Sequence, residues 1–363
     1  MEQNKNRHFK WIAVIVLIMV VIAVVSFNSR PQNAHTIKVG AIYALSGPSA
    51  KFGEISAQGV RDAVKYFEEK NNVKIDLILE DSANDLKQGV SVATKLFEID
   101  KVKFAVVGLS GITNAVAPLA DQYKSLLITD AAGYGITKGK SYLLQNFLPS
   151  LNDVALQINK HPEWKKVAII YINDEFGNIW REKTSSEIVT DKLIRSFPFE
   201  KTTTDFKTDA LKIKDFNPDV AFVVGYGPPL NQVFADLAFQ KVSPKLITYL
   251  TCTLPGVISD KRFDLNGNYS YEYPQIQNKV IEEWIKSHDG SLSTFYLLGF
   301  ENTLTVLDAA KANANDATKA TKYLKTNTLS GLYGDIKFDN QGVVNRDLVL
   351  TKIESNTCSS AQN

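Results

Sequence analysis

The sequence predicts an α/β protein of two lobes, each built on a parallel sheet, and three observations carry that reading. Short apolar runs, such as residues 39–45 and 104–107, alternate with amphipathic segments from residue 36 onward. Strands buried on both faces read as continuous apolar runs, and helices between such strands make the sheet parallel. The alternation pauses after Pro149 and resumes at Val167, giving two series, each too small to be the whole protein. At 363 residues and 44% hydrophobic content, the chain is long enough for two cores.

In the first series, residues 37–45 read as a strand that ends in the small, flexible turn Ser46-Gly47-Pro48-Ser49. Residues 53–70 follow as a helix with Val60, Ala63, Val64 and Phe67 on one face. Residues 75–79 are a strand, and 86–99 a helix with Val90, Ala93 and Phe97 turned inward. A strand at 104–107, a helix at 113–123 and a strand at 126–129 complete the series. In the second, strands at 167–172, 193–199, 220–224 and 246–250 alternate with helices at 180–190, 208–216 and 229–239. Residues 279–286 and 293–312 return to helix. Such connections are right-handed, and a cleft between two lobes is a favoured place for a ligand.

Charge excludes one class of partner. Lys5, Arg7, Lys10 and Arg30 face only Glu2 in the first thirty residues, and setting these aside leaves 37 basic against 38 acidic residues. The body of the chain therefore offers no basic nucleic-acid surface. Residues 11–25 are apolar without a break and follow three cations, the layout of a secretory signal or an anchor. Phe27 suits a cleavage site poorly, and no cysteine stands nearby to carry a lipid. Cleavage near Ala34 and retention of residues 11–27 as a membrane anchor both fit. Either places residue 35 onward outside the cytoplasmic membrane. Cys252 and Cys358 share that oxidising compartment. Cys358 stands in a polar tail, 356–363, expected to be flexible, so no structural bridge is expected. Cys252 reads as a small buried or pocket-lining residue.

Catalytic constellations are missing. His35, His161 and His288 are scattered, none beside a serine or cysteine in a nucleophile motif, and they offer no zinc cluster. The segment "GYGITKGKS" ends like a phosphate-binding loop, but Tyr134 occupies the place of its first glycine. Glu80, Asp81 and Asp85 lack a calcium-loop pattern and stand where a strand gives way to a helix, where carboxylates cap.

A holding site is better supported. In residues 106–135 a strand delivers the chain to Ser110-Gly111, and a helix follows with its amides turned toward any anion. The next strand ends at Thr129, before the small residues Ala131, Ala132 and Gly133, which let a ligand approach the main chain. Phe52, Phe176 and Tyr226 all stand just past the carboxyl ends of strands, where open α/β sheets bind ligands. There an aromatic ring is free to cover an apolar body.

These stretches resemble, in combination and order, the periplasmic leucine/isoleucine/valine-binding proteins, the type I solute-binding fold of ABC transporters. The resemblance covers nearly all of residues 36–354. It rests on "IKVGAIYALSGPSAKFG", "LEDSANDLKQGVSVATKLF", "VAPLADQYKSLLITDAA", "VAIIYINDEFG", "NPDVAFVVGYG" and "GLYGDIKFDNQGVV". It implies two lobes joined by a three-segment hinge, the first at 36–147 plus 272–335 and the second at 148–271 plus 336–355. It implies an extracytoplasmic solute-binding protein that is no enzyme, needs no cofactor and has an ABC permease as partner. A sensor domain of the same fold is the alternative. By the resemblance, Phe52, Phe176, Tyr226 and Phe295 cover the ligand, Ser110 binds its carboxylate, and Ala131 and Gly133 belong to the loop that holds it. Members that bind amino acids place an acidic residue after a second-lobe strand. Here that stretch, residues 246–257, has no Asp or Glu and offers Thr251 and Cys252 instead. An ammonium buried without a counter-charge is costly, so an amine-free carboxylate, an aromatic acid or a small amide is the expected ligand.

Overall fold

The computed structural model describes residues 36–150, 152–355 and 357–360. The segment 1–34, read above as signal or anchor, lies outside them, and among the described residues no helix is long and apolar enough to cross a membrane.

The chain first runs β1 (Ile37–Tyr43), α1 (Ala50–Asn71), β2 (Ile75–Asp81) and α2 (Leu86–Thr94), which continues as a π-helical turn at Lys95–Ile99. β3 (Phe104–Val107), α3 (Ser110–Tyr123), β4 (Leu126–Thr129) and β5 (Leu143–Pro149) follow. The second series is α4 (Asp153–Asn159), β6 (Lys166–Ile172), α5 (Glu175–Glu187), β7 (Leu193–Phe199) and α6 (Lys207–Phe216). It ends with β8 (Val220–Val224), α7 (Gly227–Phe239), β9 (Lys245–Tyr249) and β10 (Tyr269–Glu272). The chain then returns through α8 (Lys279–Ser287), α9 (Thr294–Ala312), α10 (Ala317–Thr326), the hairpin β11 (Leu329–Gly331) and β12 (Gly334–Ile336), and β13 (Val343–Arg346). β14 (Val349–Glu354) and β15 (Thr357–Ser360) close it.

Two sheets result. One is all parallel, in the order β13-β5-β4-β3-β1-β2. The other has the order β15-β14-β10-β9-β8-β6-β7, parallel from β7 to β10, with β14 and β15 antiparallel. The parallel cores share one winding: the second strand lies outside the first, and the third, fourth and fifth run off the other side. Side chains of β1 alternate between the faces of the first sheet. Ile37, Val39, Ala41 and Tyr43 join the core under α1, α9 and α10, and Ile42 joins the core under α2 and α3. Val60, Ala63, Val64 and Phe67 of α1 are buried as their spacing predicts, the valines and the phenylalanine each contributing about 1.5–3 kcal/mol.

The chain crosses between the sheets after β5, between β10 and α9, and between β13 and β14. Sequence reading puts the third crossing after residue 335; the pairing of β13 with β5 moves it to the link between Arg346 and Val349. At that hinge, Glu301 of α9 is buried with Arg346 of β13 at 3.5 Å, their side chains 2% and 7% exposed. The Glu301 carboxylate also accepts from the Leu332 N–H at 2.6 Å and from Asn146 of β5 at 3.3 Å. Burial raises its pKa, and the Arg346 cation opposes that rise.

Two expectations for the carboxyl end are corrected. Residues 357–360 are not a free tail, because β15 pairs with β14 and its backbone groups find partners there. Cys252 is disulfide-bonded, and no cysteine among the described residues is free. The chain holds one other cysteine, Cys358, and the pairing of β15 returns that end of the chain to the second sheet.

Candidate functional site

Each parallel core has a switch point where the strand order reverses, between β1 and β3 in one sheet and between β6 and β8 in the other. A crevice opens there at the carboxyl ends of the strands. The four loops flanking the two switch points, represented by Ala44, Gly108, Asn173 and Gly225, all line a single cavity of about 590 Å³ between the lobes. The lobes meet around it where Asn114 of α3 donates to the Glu175 carboxylate at 2.9 Å.

A short repeat positions the aromatic walls. Phe52-Gly53 opens α1 and Phe176-Gly177 opens α5. A Cβ on Gly53 would stand 1.8 Å from the Ala44 carbonyl oxygen, and one on Gly177 would stand 1.8 Å from that of Ile172. Glycine alone lets each helix start this close to the end of the strand before it, and the preceding phenylalanine reaches the cavity. Phe52 meets Phe295 of α9 edge-on at 5.1 Å and Tyr226 at 6.1 Å. Phe176 meets Tyr226 at 5.9 Å and Tyr249 at 5.8 Å. The Tyr226 hydroxyl donates to Asp174, whose other oxygen caps α5 through the Gly177 N–H at 3.0 Å. Burial raises the Asp174 pKa; these hydrogen bonds and the nearby Lys201 cation pull against it.

On the first-lobe side, Ser110 is the first residue of α3 and is buried on the cavity wall. It follows Leu109, whose φ of +69° is unusual for a residue with a branched side chain. The Ser110 hydroxyl oxygen accepts from the Ala132 N–H at 3.2 Å. The loop after β4 is pinned on every side: Thr129 Oγ1 accepts from the Ala131 N–H at 3.0 Å, and Gln145 of β5 donates to the carbonyls of Ala131 and Gly133. Between those pins stands Asp130, on the cavity wall, its Oδ1 3.9 Å from where a Cβ on Gly108 would lie. Burial pushes its carboxyl up to about 7.

Of the residues singled out from sequence, Phe52, Ser110, Ala131, Phe176, Tyr226 and Phe295 come together on this wall. Gly133, Thr251 and Cys252 do not. Gly133 faces Ile136 and Ile179. Thr251 is buried behind the wall, its N–H given to Ser270 Oγ at 3.2 Å. Cys252 turns to a shallower hollow beside Pro255 and Ser259. Its N–H goes to Glu272, which also takes hydrogen bonds from the Ser270 and Thr253 hydroxyls. The three acids considered for calcium are structural: Asp85 caps α2 through the Gln88 N–H, Asp81 accepts from the N–H groups of Leu45, Ser46 and Ala83, and Glu80 pairs with Lys95 at 2.6 Å. Among the described residues no group of three or more acidic, histidine or cysteine side chains is placed to hold a metal.

Sequence reading passed over Tyr43, Asn84, Asp130, Lys201, Tyr249 and Tyr273, which also line the cavity. Asp130 carried a usable signal, an acid directly after an apolar strand and before two alanines. Tyr273 carried none, since its place depends on β10 pairing with β9.

A family model described as periplasmic binding protein matches residues 36–358. The Leu/Ile/Val-binding protein of Citrobacter freundii is 26% identical over 334 residues, which cover 86% of this chain and 89% of that protein. A branched-chain amino acid transporter substrate-binding protein from Streptococcus pneumoniae, solved in complex with isoleucine, superposes with a TM-score of 0.79 at 19% identity. The match covers 90% of this chain and 99% of that one. A solute-binding protein of an ABC transporter from R. palustris, solved with benzoate, gives 0.79 at 15% identity, covering 90% and 95%. At such identities these two structures bear on the fold alone.

Proposed function

The chain belongs to the periplasmic binding protein family, and from that premise we propose that it holds a small solute between its lobes and delivers it to an ABC permease. One observation supports this above all: the two switch-point crevices face each other across one cavity with aromatic walls. A volume of about 590 Å³ suits a solute of amino-acid or aromatic-acid size. In this reading Phe52, Phe176, Tyr226 and Phe295 cover its apolar body. Ser110, Ala131 and the amino end of α3 receive its polar groups, the helix end favouring an anion by about 0.3–1 kcal/mol or more when buried. The lobes close about the three crossings, and the protein acts outside the cytoplasmic membrane without chemistry of its own.

The test is a thermal-shift panel of amino acids, carboxylic acids and amides on the full chain, in mild detergent if the amino-terminal segment is retained. A solute at a hundredfold excess over its dissociation constant adds about 2.7 kcal/mol to folding stability, so a bound member raises Tm visibly. A flat response to every small solute overturns the proposal. Mass spectrometry of the mature chain reports the fate of residues 1–34: an amino terminus near His35 marks a cleaved signal, an intact one an anchor.

A further inference from the structure

Among the described residues, the carboxylates on the cavity wall are Asp130, Asp174 and Glu175, and the wall's one cation is Lys201. Protein groups account for two of the three. Asp174 holds Tyr226 and the Gly177 N–H and feels the Lys201 charge. Glu175 accepts from Asn114. Asp130 is different: among the described residues its one hydrogen bond comes from its own backbone N–H. The groups that feel its charge are the phenols of Tyr43, Tyr249 and Tyr273. The Tyr43 hydroxyl is buried and has no hydrogen-bond partner among the described residues.

We propose that Asp130 is the counter-charge for a protonated amine on the ligand, so that the protein takes an amine-bearing solute in preference to the amine-free acid of the same shape. The inference rests on the solute-binding reading above. A carboxylate deep in a cavity without a cation is poorly placed, and a cation brought by the ligand supplies the missing half of the pair. The unpartnered Tyr43 hydroxyl, whose group feels the Asp130 charge, can accept a hydrogen bond from the same ammonium. Asp130 stands two residues before Ala132, whose N–H meets Ser110. Cation and anion subsites thus lie side by side in the first lobe, and no second-lobe acid is required. The stretch 246–257, which lacks an acid and pointed to an amine-free ligand, leaves the ammonium to Asp130.

The test uses matched compounds on the full chain and on Asp130→Asn: L-isoleucine with 3-methyl-2-oxopentanoate, and L-phenylalanine with phenylpyruvate and phenethylamine. Thermal shift finds the binders and calorimetry ranks them. The expected result is that an amine-bearing compound binds the parent at least tenfold tighter than its amine-free partner. Asp130→Asn loses at least tenfold in affinity for that amine, while affinity for the amine-free acid holds or improves. Amine-free compounds binding as tightly as their partners, or an Asp130→Asn variant that keeps its affinity for the amine, overturn the proposal. So does the absence of a shift with every amine. If the acids then bind, the solute-binding reading survives alone; if nothing binds, both fall. The matched-pair comparison in the parent decides the matter if the variant does not fold.

Discussion

The loops that follow the fourth strand of each sheet occupy corresponding places in the two lobes, and they are built in opposite ways. After β4, the chain pins its backbone through Thr129, Gln145 and Ser110 and leaves the Asp130 carboxylate on the cavity wall. After β9, Leu250 turns with φ at +54°, and the loop draws the Glu272 carboxylate into itself through the Cys252 N–H and the Thr253 hydroxyl. Cys252 is further fixed by its disulfide. Burial raises both carboxyls to about 7, so the pKa alone does not tell them apart. Their hydrogen bonds do. A buried carboxylate satisfied by its own chain belongs to the scaffold, whereas one on a cavity wall with no donor beyond its own N–H faces whatever enters the cavity.

The comparison is broken or sharpened by four measurements. Glu272→Ala strips buried donors of their acceptor, each at roughly 1–3 kcal/mol, and a loss of about 3–5 kcal/mol in denaturant unfolding is expected. A loss under about 1 kcal/mol would show that Glu272 is no part of the scaffold. Cys252→Ser, or reduction of the parent, should lower stability by about 2–4 kcal/mol; the reductant should leave the variant's Tm unmoved.

The third measurement is pH dependence. Folding raises the Asp130 pKa from 3.8 to about 7. Between those values the folded chain binds more protons than the unfolded one, so stability falls as pH rises through the window and is level above it. Asp130→Asn removes a slope of up to about 1.4 kcal/mol per pH unit, and without added solute it should be more stable than the parent at pH 8. Glu272, raised from 4.5 to about 7, acts with the same sign and keeps part of the slope in the variant. An unchanged slope in Asp130→Asn would place that carboxyl in ordinary solvent. Smallest is Ser110→Ala, expected to weaken the tightest-binding panel member by about 1–2 kcal/mol in calorimetry, with ligand-free stability lowered by about 1 kcal/mol because the buried Ala132 N–H loses its acceptor.

Much of the fold was legible where burial on both faces forces an uninterrupted apolar run. The strands at 104–107, 126–129 and 220–224 occur where the sequence places them; so does β7, although it is an edge strand with Arg195 and Ser196 at its middle. Helix starts were less legible. α3 begins at Ser110 and α5 at Glu175, three and five residues ahead of expectation, because a first turn such as Glu-Phe-Gly has no apolar periodicity. The readable sign there was Asp174, whose carboxylate caps the helix. β5 was missed because Gln145 and Asn146 interrupt its apolar pattern; both are buried to bind other segments, the loop after β4 and Glu301. The aromatic wall could be read from residues next to strand ends. Asp130 was passed over because the acid was sought in one lobe only, and Tyr249 and Tyr273 because strand pairing is not written in local sequence.

The Arg346–Glu301–Asn146 group has a mechanical consequence. Its members sit on β13, α9 and β5, so the roots of two crossings are clamped to one helix. Flexure at the third crossing is then left to Asp347 and Leu348, a link of two residues between β13 and β14. If the lobes close on a solute as proposed, a pivot seated in this way would hold them to one axis. A fluorophore pair with one dye on each lobe should report a single opening angle, and loosening the clamp with Arg346→Met should broaden it into a spread of distances.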